Sequence, residues 1–378
     1  MTEVDPLPLA QLTTLRTGAA PERMREARTS DELVHALRET WARGDEWFVL
    51  GGGSNLFAGD EAFEGTVVRV LTTGIERLDS PHRARARVRV QAGHDWDALV
   101  AYTVEQGLAG IEAMSGIPGT VGAAPVQNVG AYGQEIQETL VEVELIDEAT
   151  GEVSTTPASE LGLGFRTSVL KHHYGAVPQR RAVILSVTLD LADVGDAGRV
   201  VRGTQLRRAL GLTDDRPVPL GWVRERILAT RAAKGMLLDP SDPDTFSAGS
   251  FFQNAIVPES VARALPAECP RWPVAPDLDA VTVIPLGAFD GQVPPIVSAP
   301  TDVKVSAAWL IEHSGISKGF RLPRSRAGVS TKHALALTNR GNAPAAELAE
   351  LARFIQSRVH AEFGLVLQPE PVLVGVEL

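Results

Sequence analysis

Five stretches of this chain hold residue types at spacings that could do chemistry. The first is Gly51-Gly52-Gly53-Ser54-Asn55, which follows a short apolar run. Residues without a Cβ let the backbone approach a ligand closely, and their amides form a concave nest that suits a pyrophosphate. A tight turn between two elements is the other reading, and the pattern alone leaves both open. Leu56 stands where a Rossmann fingerprint needs its last glycine, and the chain has no Walker A sequence, so neither of those phosphate motifs is present. The second stretch is Gly116-Ile117-Pro118-Gly119-Thr120-Val121-Gly122-Ala123-Ala124, followed by Gln127-Asn128-Val129-Gly130-Ala131-Tyr132-Gly133. Small residues with almost no charge leave room for a flat ligand against the backbone, with Gln127 and Asn128 offering amide hydrogen bonds. Backbone-on-backbone packing is the alternative; the company of the first glycine cluster favours a ligand.

The third stretch, Gly164-Phe165-Arg166-Thr167-Ser168, places an Arg where it could clamp a carboxylate through two hydrogen bonds, although an Arg on the surface is the commoner case. The fourth is Ser247-Ala248-Gly249-Ser250-Phe251-Phe252-Gln253-Asn254. Ser250 follows a glycine and precedes two aromatics, which predicts a small, dry niche. Ser250 does not stand in a Gly-x-Ser-x-Gly elbow, which disfavours a serine hydrolase built on it. The fifth is Gln368-Pro369-Glu370-Pro371, where prolines on both sides stiffen the backbone and apolar neighbours desolvate the carboxyl.

Two other patterns are weaker. His82 to Val90 alternates Arg with apolar residues, which fits the outer face of a half-buried strand better than a nucleic-acid site. Lys171-His172-His173 has no carboxylate or Cys at ligand spacing, and adjacent histidines on a strand point to opposite faces, so no metal site is expected. A net charge of −11 over 378 residues argues against general affinity for nucleic acid or anionic membrane. Cys269 is the single cysteine, so no internal disulfide and no Cys-based metal cluster can form. No signal peptide is read at Met1 to Leu12, and no apolar run approaches the ~20 residues that span a bilayer. The expectation is a soluble cytoplasmic protein.

The elements that must position these residues are legible in outline. Ser30 as N-cap, Leu33, Leu37 and Trp41 at helical spacing, and a stop at Gly44 predict a helix. Strands are expected over 47–50, 66–70, 83–91 and 182–191, a helix over 95–106, and a hairpin built on 141–146 with a turn near Gly151. Residues 191–220 read as a polar linker or mobile loop. A helix is expected over 222–234, and the Pro-rich stretch 258–300 should be extended or turn. A short helix is expected over 307–313. Pro344 opens the clearest helix, with Leu348, Leu351, Ile355, Val359 and Phe363 on one face and Gly364 as its stop. The final 365–376 reads as a strand. Mixed strands and helices give an α+β or α/β class in two parts that meet near residue 200.

Together the stretches resemble one family, the UDP-N-acetylenolpyruvoylglucosamine reductases (MurB), from about Leu12 to Gly375. The resemblance rests on Leu50-Gly-Gly-Gly-Ser-Asn-Leu56, the 116–124 and 127–133 motifs, Phe165-Arg-Thr-Ser168, Ala248-Gly-Ser-Phe-Phe-Gln-Asn254, Ser306-Ala-Ala-Trp-Leu-Ile311 and Pro369-Glu370, in this order and at these separations. It implies an α+β fold: a PCMH-type (vanillyl-alcohol-oxidase-like) FAD-binding domain in two subdomains over 11–192, a linker or lid loop over 193–220, and a substrate-binding domain over 221–378. It implies FAD as cofactor, NADPH as reductant, and reduction of UDP-N-acetylenolpyruvoylglucosamine to UDP-N-acetylmuramate in peptidoglycan precursor synthesis. No nicotinamide motif is readable, so NADPH comes wholly from the resemblance.

By the same resemblance Gly51, Gly52, Gly53, Ser54 and Asn55 hold the FAD pyrophosphate. Ser115, Gly116, Ile117, Pro118, Gly119, Thr120, Gly122 and Ala123, with Gln127, Asn128, Gly130, Ala131, Tyr132 and Gly133, line the flavin. Hydride addition to the β-carbon of the enolpyruvyl group puts negative charge on the α-carbon and its carboxylate. Arg166 and Glu370 are implied to stabilise that charge, and Ser250 to protonate the α-carbon. Lys234, Asn254 and Lys304 are expected to touch the substrate, the lysines at its diphosphate. No metal, nucleic-acid partner or membrane insertion is expected, and the chain is expected to be a monomer.

The chain departs from the family pattern in places. Phe165 stands where a Tyr is frequent, and Arg202 where long-loop members carry a Tyr that folds over the substrate. Ala255 replaces a usual Pro, and the 258–300 stretch is longer than the family leads one to expect. A sugar or alditol oxidase on the same flavin fold is the nearest rival. Many of those tether FAD through a His near the pyrophosphate loop, whereas the only histidines between Gly51 and Lys171, His82 and His94, lie outside the Gly-rich motifs. A nucleotide-sugar-binding regulator without catalysis would be expected to lack Arg166, Ser250 or Glu370, and all three residue types are present.

Overall fold

A computed structural model describes residues 2–171, 179–274 and 302–378. Near the N-terminus, the Thr29 hydroxyl accepts from the Glu32 amide and opens α1 (Ser30–Arg43), one residue ahead of the expected cap; Gly44 ends it in the left-handed region. Leu33 and Leu37 of α1 pack on Val68 and Val70. These belong to a four-stranded sheet in the order Thr2–Val4, Arg23–Ala27, Thr66–Val70, Trp47–Leu50, in which the last three strands are parallel. The Trp47–Leu50 strand delivers the chain directly into the 51–55 glycine loop.

A second sheet is antiparallel, with a spine of Val153–Pro157, Leu140–Asp147, Ala182–Asp193, Arg85–Gln91 and Ile75–Leu78. Along Arg85–Gln91 the apolar Ala86, Val88 and Val90 are buried. The arginines between them face Asp190 and Glu76, with Arg87 at 3.7 Å from Asp190 and Arg89 at 3.8 Å from Glu76. The alternating stripe is therefore the charged outer face of a half-buried strand. Asp95 caps α2 (Trp96–Glu105), which covers this sheet with Trp96, Leu99 and Val100.

The 193–220 stretch differs from the linker or mobile loop expected of it. The Ala182–Asp193 strand runs into it, Arg199–Val200 pairs with Pro217–Val218, and α3 (Thr204–Leu210) lies between them. Val201, Leu206, Leu210 and Val218 bury themselves against Val223 and Ile227 of α4 (Leu220–Ala233). A few apolar residues in short elements close a small core without the long periodicity that announces a helix.

The C-terminal part holds a three-stranded antiparallel sheet, Ala255–Pro258, Asp302–Val305 and Arg271–Pro273, with Asp302–Val305 in the middle. The extended reading of 258–300 is corrected at α5 (Glu259–Ala264), which occupies the proline-free window between Pro258 and Pro266. Residues 275–300 of that stretch lie outside the described residues. α6 (Ala307–His313) and α7 (Ala345–Phe363) pack over Phe251, Phe252, Val305 and Val329.

This part is not closed by residues 221–378 alone. Leu15 and Phe57 fill its core, and the Thr14 hydroxyl donates to the Ser247 carbonyl at 2.7 Å. In return the chain's last strand, Val372–Val374, pairs in parallel with Leu56–Ala58, directly after the glycine loop. The strand expected over 365–376 shrinks to these three residues, because Pro369 and Pro371 have no N–H to give a ladder. Among the described residues no helix is long and apolar enough to cross a membrane.

Candidate active site

A cavity of 540 Å³ opens between the two N-terminal sheets. Its walls are the strand Trp47–Leu50, the 51–55 loop, Thr120, Gly122, Ala123, Gln127 and the start of the Ala182–Asp193 strand. The glycines are required by loop-on-loop packing as well as by any ligand. A Cβ on Gly51 would stand 2.3 Å from the Thr120 hydroxyl, and one on Gly52 2.7 Å from the Gly119 Cα. Gly53 has φ +61°, and its Cβ would meet the Leu12 carbonyl at 2.1 Å. The Ser54 hydroxyl donates to the Pro118 carbonyl at 2.8 Å and locks the two loops together. The tight-turn and ligand readings of this motif are thus compatible. The apolar wall of Val49, Leu50 and Ile184 next to a glycine nest fits an elongated cofactor with an aromatic end and a phosphate middle, as FAD is.

The expected flavin-lining residues divide. Thr120, Gly122, Ala123 and Gln127 line this cavity, as do all five residues of the glycine loop. Gly116, Ile117, Pro118, Gly119, Gly130, Ala131, Tyr132 and Gly133 lie off its wall, as do two residues with inward hydrogen bonds. The fully buried Ser115 hydroxyl donates to the Glu112 carbonyl, and the Asn128 amide donates to Glu135 and to the Gly164 carbonyl. Tyr132 packs against the small α3–α4 core, and burial pushes its hydroxyl pKa up.

Arg166 projects from a tight 164–167 turn, in which Gly164 and Thr167 exchange backbone hydrogen bonds of 3.2 and 3.4 Å. Its φ is +56°, a conformation that costs a non-glycine residue on the order of 1–3 kcal/mol and concentrates at functional sites. Its Nη1 and Nη2 donate to the carbonyls of Asn128 and Gly130 at 3.3 and 2.8 Å. Its Nε stands 3.2 Å from Glu370 Oε1, with the two side chains 20% and 15% exposed. The fork has five N–H donors, so one remains on each terminal nitrogen for an incoming carboxylate. Burial pushes the Glu370 carboxyl pKa up, against the opposing pull of Arg166 and then Lys171.

Main-chain hydrogen bonds lay the segment that carries Ser250 along the segment that carries Glu370. The Glu370 amide donates to the Phe251 carbonyl at 2.8 Å, and Phe252 bridges to Pro369. Phe251 and Phe252 are buried edge to face, 5.1 Å between centroids, and anchor the chain directly after the serine. Gly249 turns the chain with φ +72°. Among the described residues the Ser250 hydroxyl has no hydrogen-bond partner, so it is free to turn toward a ligand.

Of the three expected substrate contacts, Lys304 and Asn254 belong to neighbouring segments of the C-terminal sheet and Lys234 lies at the end of α4. Lys304, in the middle strand of the C-terminal sheet, holds its ammonium 4.3 Å from the Phe165 ring centroid, next to the Arg166 turn. Burial pushes its pKa down, Glu135 opposes and Arg166 adds to the fall. Lys234 is exposed at the end of α4, 5.7 Å from the Tyr132 ring. Asn254 spends its side-chain oxygen on the Ala307 amide at 3.0 Å, helping Ser306 to cap α6, and keeps its Nδ2. Arg202, at the lid position, is exposed.

Lys171, read in the sequence only as part of a Lys-His-His run, lines the cavity, and a buried Arg231 stands beside Gly116. Lys171 is buried and donates to Gln127 Oε1 and the Glu370 carbonyl at 3.2 and 3.3 Å. Its spacing after Arg166 was a signal, hidden by the two histidines that follow it; His172 and His173 lie outside the described residues. Arg231 is buried, bonded through Nη2 to the Met236 carbonyl at 2.8 Å, and its Nε has no partner among the described residues.

The chain is similar to known proteins. Residues 21–157 match the model of the FAD binding domain, and residues 240–374 match that of the UDP-N-acetylenolpyruvoylglucosamine reductase C-terminal domain. The UDP-N-acetylenolpyruvoylglucosamine reductase of Leifsonia xyli subsp. xyli is 53% identical, with 99% of this chain and 100% of that protein aligned. The enzyme of the same name from Saccharopolyspora erythraea is 47% identical over 98% of this chain and 95% of its own. Among solved structures, the UDP-N-acetylenolpyruvylglucosamine reductase (MurB) from Thermus caldophilus shares the fold, with a TM-score of 0.60 and 24% identity over 99% of this chain and 100% of that one.

Proposed function

The chain belongs to the UDP-N-acetylenolpyruvoylglucosamine reductase family, FAD-binding oxidoreductases, and we propose that it uses NADPH to reduce UDP-N-acetylenolpyruvoylglucosamine to UDP-N-acetylmuramate, a cytoplasmic step of peptidoglycan precursor synthesis carried out by a monomer. The observation that carries the reading is the convergence of Arg166, Ser250 and Glu370, from three separate stretches of chain, beside the cavity that fits FAD. When bound, FAD supplies hydride transfer, taking the hydride from NADPH and passing it to the substrate. The 51–55 loop, Thr120, Gly122, Ala123 and Gln127 would hold it.

The chain's own part is charge and proton. Hydride arrival at the β-carbon leaves an electron pair on the α-carbon, shared with the carboxylate. Arg166 presents its two remaining N–H groups to that carboxylate. Glu370, raised by burial, stays protonated to higher pH than an exposed carboxyl and adds a donor without adding negative charge. Ser250 Oγ gives its proton to the α-carbon and completes the lactyl ether; the alkoxide is requenched from solvent or a neighbouring donor. A serine hydroxyl is a weak acid, and the enolate-like carbanion it meets is a strong base. Lys304 and Lys234 attract the diphosphate. Anaerobic NADPH consumption by the FAD-loaded protein tests the reading. Many turnovers are expected only when the enolpyruvyl substrate is present, and NADPH consumption that ignores it would contradict the proposal.

A further inference from the structure

Lys171 carries a charge that the reaction as proposed does not use. Its side chain is 9% exposed and lines the FAD cavity, and its hydrogen-bond acceptors, Gln127 Oε1 and the Glu370 carbonyl, are both neutral. Asn55 Nδ2 already donates to the same two oxygens, at 2.8 and 3.3 Å. A link between the cavity wall and residue 370 therefore exists without Lys171. An ammonium buried against neutral acceptors is costly to keep. Burial does push the Lys171 pKa down; the Glu370 carboxyl opposes this and Arg166 adds to it. The position holds a cation where a neutral amide alone would satisfy the geometry.

We propose that Lys171 is a positioning residue for Glu370: its ammonium pins the Glu370 peptide to the wall of the FAD cavity and supplies, with Arg166, the positive charge around the Glu370 carboxyl. The inference rests on the reading of Glu370 as a carboxyl that faces the substrate. The charged groups acting on that carboxyl are Arg166, from the 164–167 turn, and Lys171, from the segment after it. Burial drives the carboxyl toward its neutral form, and the two cations resist. With Lys171 gone only Arg166 resists, so Glu370 holds its proton to higher pH. The same cation joins Gln127, on the cofactor side, to Glu370, on the substrate side.

The test uses the FAD-loaded enzyme, reduced by NADPH, with the rate of flavin reoxidation by the enolpyruvyl substrate followed across pH. Glu370→Gln identifies the limb of the profile that belongs to Glu370 by abolishing it. In Lys171→Met that limb is expected to move up by roughly one pH unit, a tenfold change in the ratio of protonated to ionised carboxyl. Lys171→Arg is expected to return it toward the wild-type position. Adding Lys171→Met to Glu370→Gln is expected to leave the profile of the single Gln variant unaltered. Should Lys171→Met fail to fold, Lys171→Gln takes its place with the same expectations, since it keeps a donor and loses the charge. A limb that stays put when the charge is removed overturns the inference, and so does an equal displacement by Arg. Glu370→Gln leaving every limb in place contradicts instead the reading of Glu370 itself.

Discussion

In the FAD half of the molecule, the site is shaped by side chains that are missing. Gly51 and Gly52 lie so close to Thr120 and Gly119 that any Cβ would collide, and Gly53 needs a left-handed backbone. In the substrate half of the site, to which the N-terminal part lends Arg166, Lys171 and Asn55, the shape comes from side chains held under charge. Arg166 sits in a strained turn bonded to two carbonyls and Glu370, Lys171 and Asn55 grip the Glu370 peptide, and Phe251 and Phe252 anchor the chain directly after Ser250. The halves are stitched by the Val372–Val374 strand on Leu56–Ala58. A cavity built from backbone contact can hold a large cofactor but offers little chemistry. A charged cluster offers chemistry but must be held rigid. Substitutions should therefore fail in different ways in the two halves, and each prediction below checks that difference.

The largest effect is expected at the charged cluster. Arg166→Lys loses the planar fork and should slow flavin reoxidation by the enolpyruvyl substrate on the order of 10²–10³-fold, about 3–4 kcal/mol. Flavin content and reduction by NADPH should change far less, which stopped-flow absorbance of the two half-reactions reads directly. Comparable losses in both would erase the contrast between the halves. In the FAD half, Gly53→Ala should act on the fold and the cofactor together. A Cβ 2.1 Å from the Leu12 carbonyl, at φ +61°, is expected to cost about 3 kcal/mol and to strip FAD. The flavin-to-protein absorbance ratio and urea unfolding measure this, with both half-reactions falling in proportion to the lost flavin.

A smaller effect sharpens the claim that the substrate half is under charge. Burial, then Lys234, Lys318 and Arg231, push the His333 imidazole from 6.5 down to about 4. The unfolded chain takes up this proton below about 6.5 and the folded chain does not until about 4. This contribution to stability is complete above 6.5, declines as pH falls between the two values, and is flat below. The total is about 3 kcal/mol. His333→Asn should remove that part of the stability difference between pH 7 and pH 4.5, compared with wild type in urea unfolding. The smallest effect is expected at Lys304, half-buried beside the Phe165 and Trp272 rings. Lys304→Met should raise KM for the nucleotide substrate severalfold, roughly 1 kcal/mol, with kcat nearly unchanged.

Much of this site was legible in sequence because its signals are local. The glycine runs, Phe165-Arg166, Gly249-Ser250-Phe251 and Pro369-Glu370-Pro371 each carry their constraint within a few residues. α7 was legible for the same reason, with a periodic apolar face between Pro344 and Gly364. What escaped is non-local or short. Nothing along residues 365–376 says that only Val372–Val374 pairs, or that its partner lies more than three hundred residues earlier. α3 and its neighbours contribute few apolar residues each, so 193–220 reads as a linker until Val201, Leu206, Leu210 and Val218 are seen together. Asn254 is expected to touch the substrate, and nothing along the sequence says that its oxygen is taken by the first amide of α6. Lys171 reads as part of a Lys-His-His run, while its meaning lies in two carbonyl oxygens from elsewhere in the chain.

The most direct test of the account is Ser250→Ala, followed through the two half-reactions without oxygen. The Ser250 segment is bonded to the Glu370 segment through the Phe251 carbonyl, and Ser250 lies outside the cavity wall. Flavin reduction by NADPH should therefore proceed at close to the wild-type rate, while reoxidation by UDP-N-acetylenolpyruvoylglucosamine stalls. Equal loss of both half-reactions, or reoxidation at the wild-type rate, would contradict the assignment of Ser250 as the proton donor.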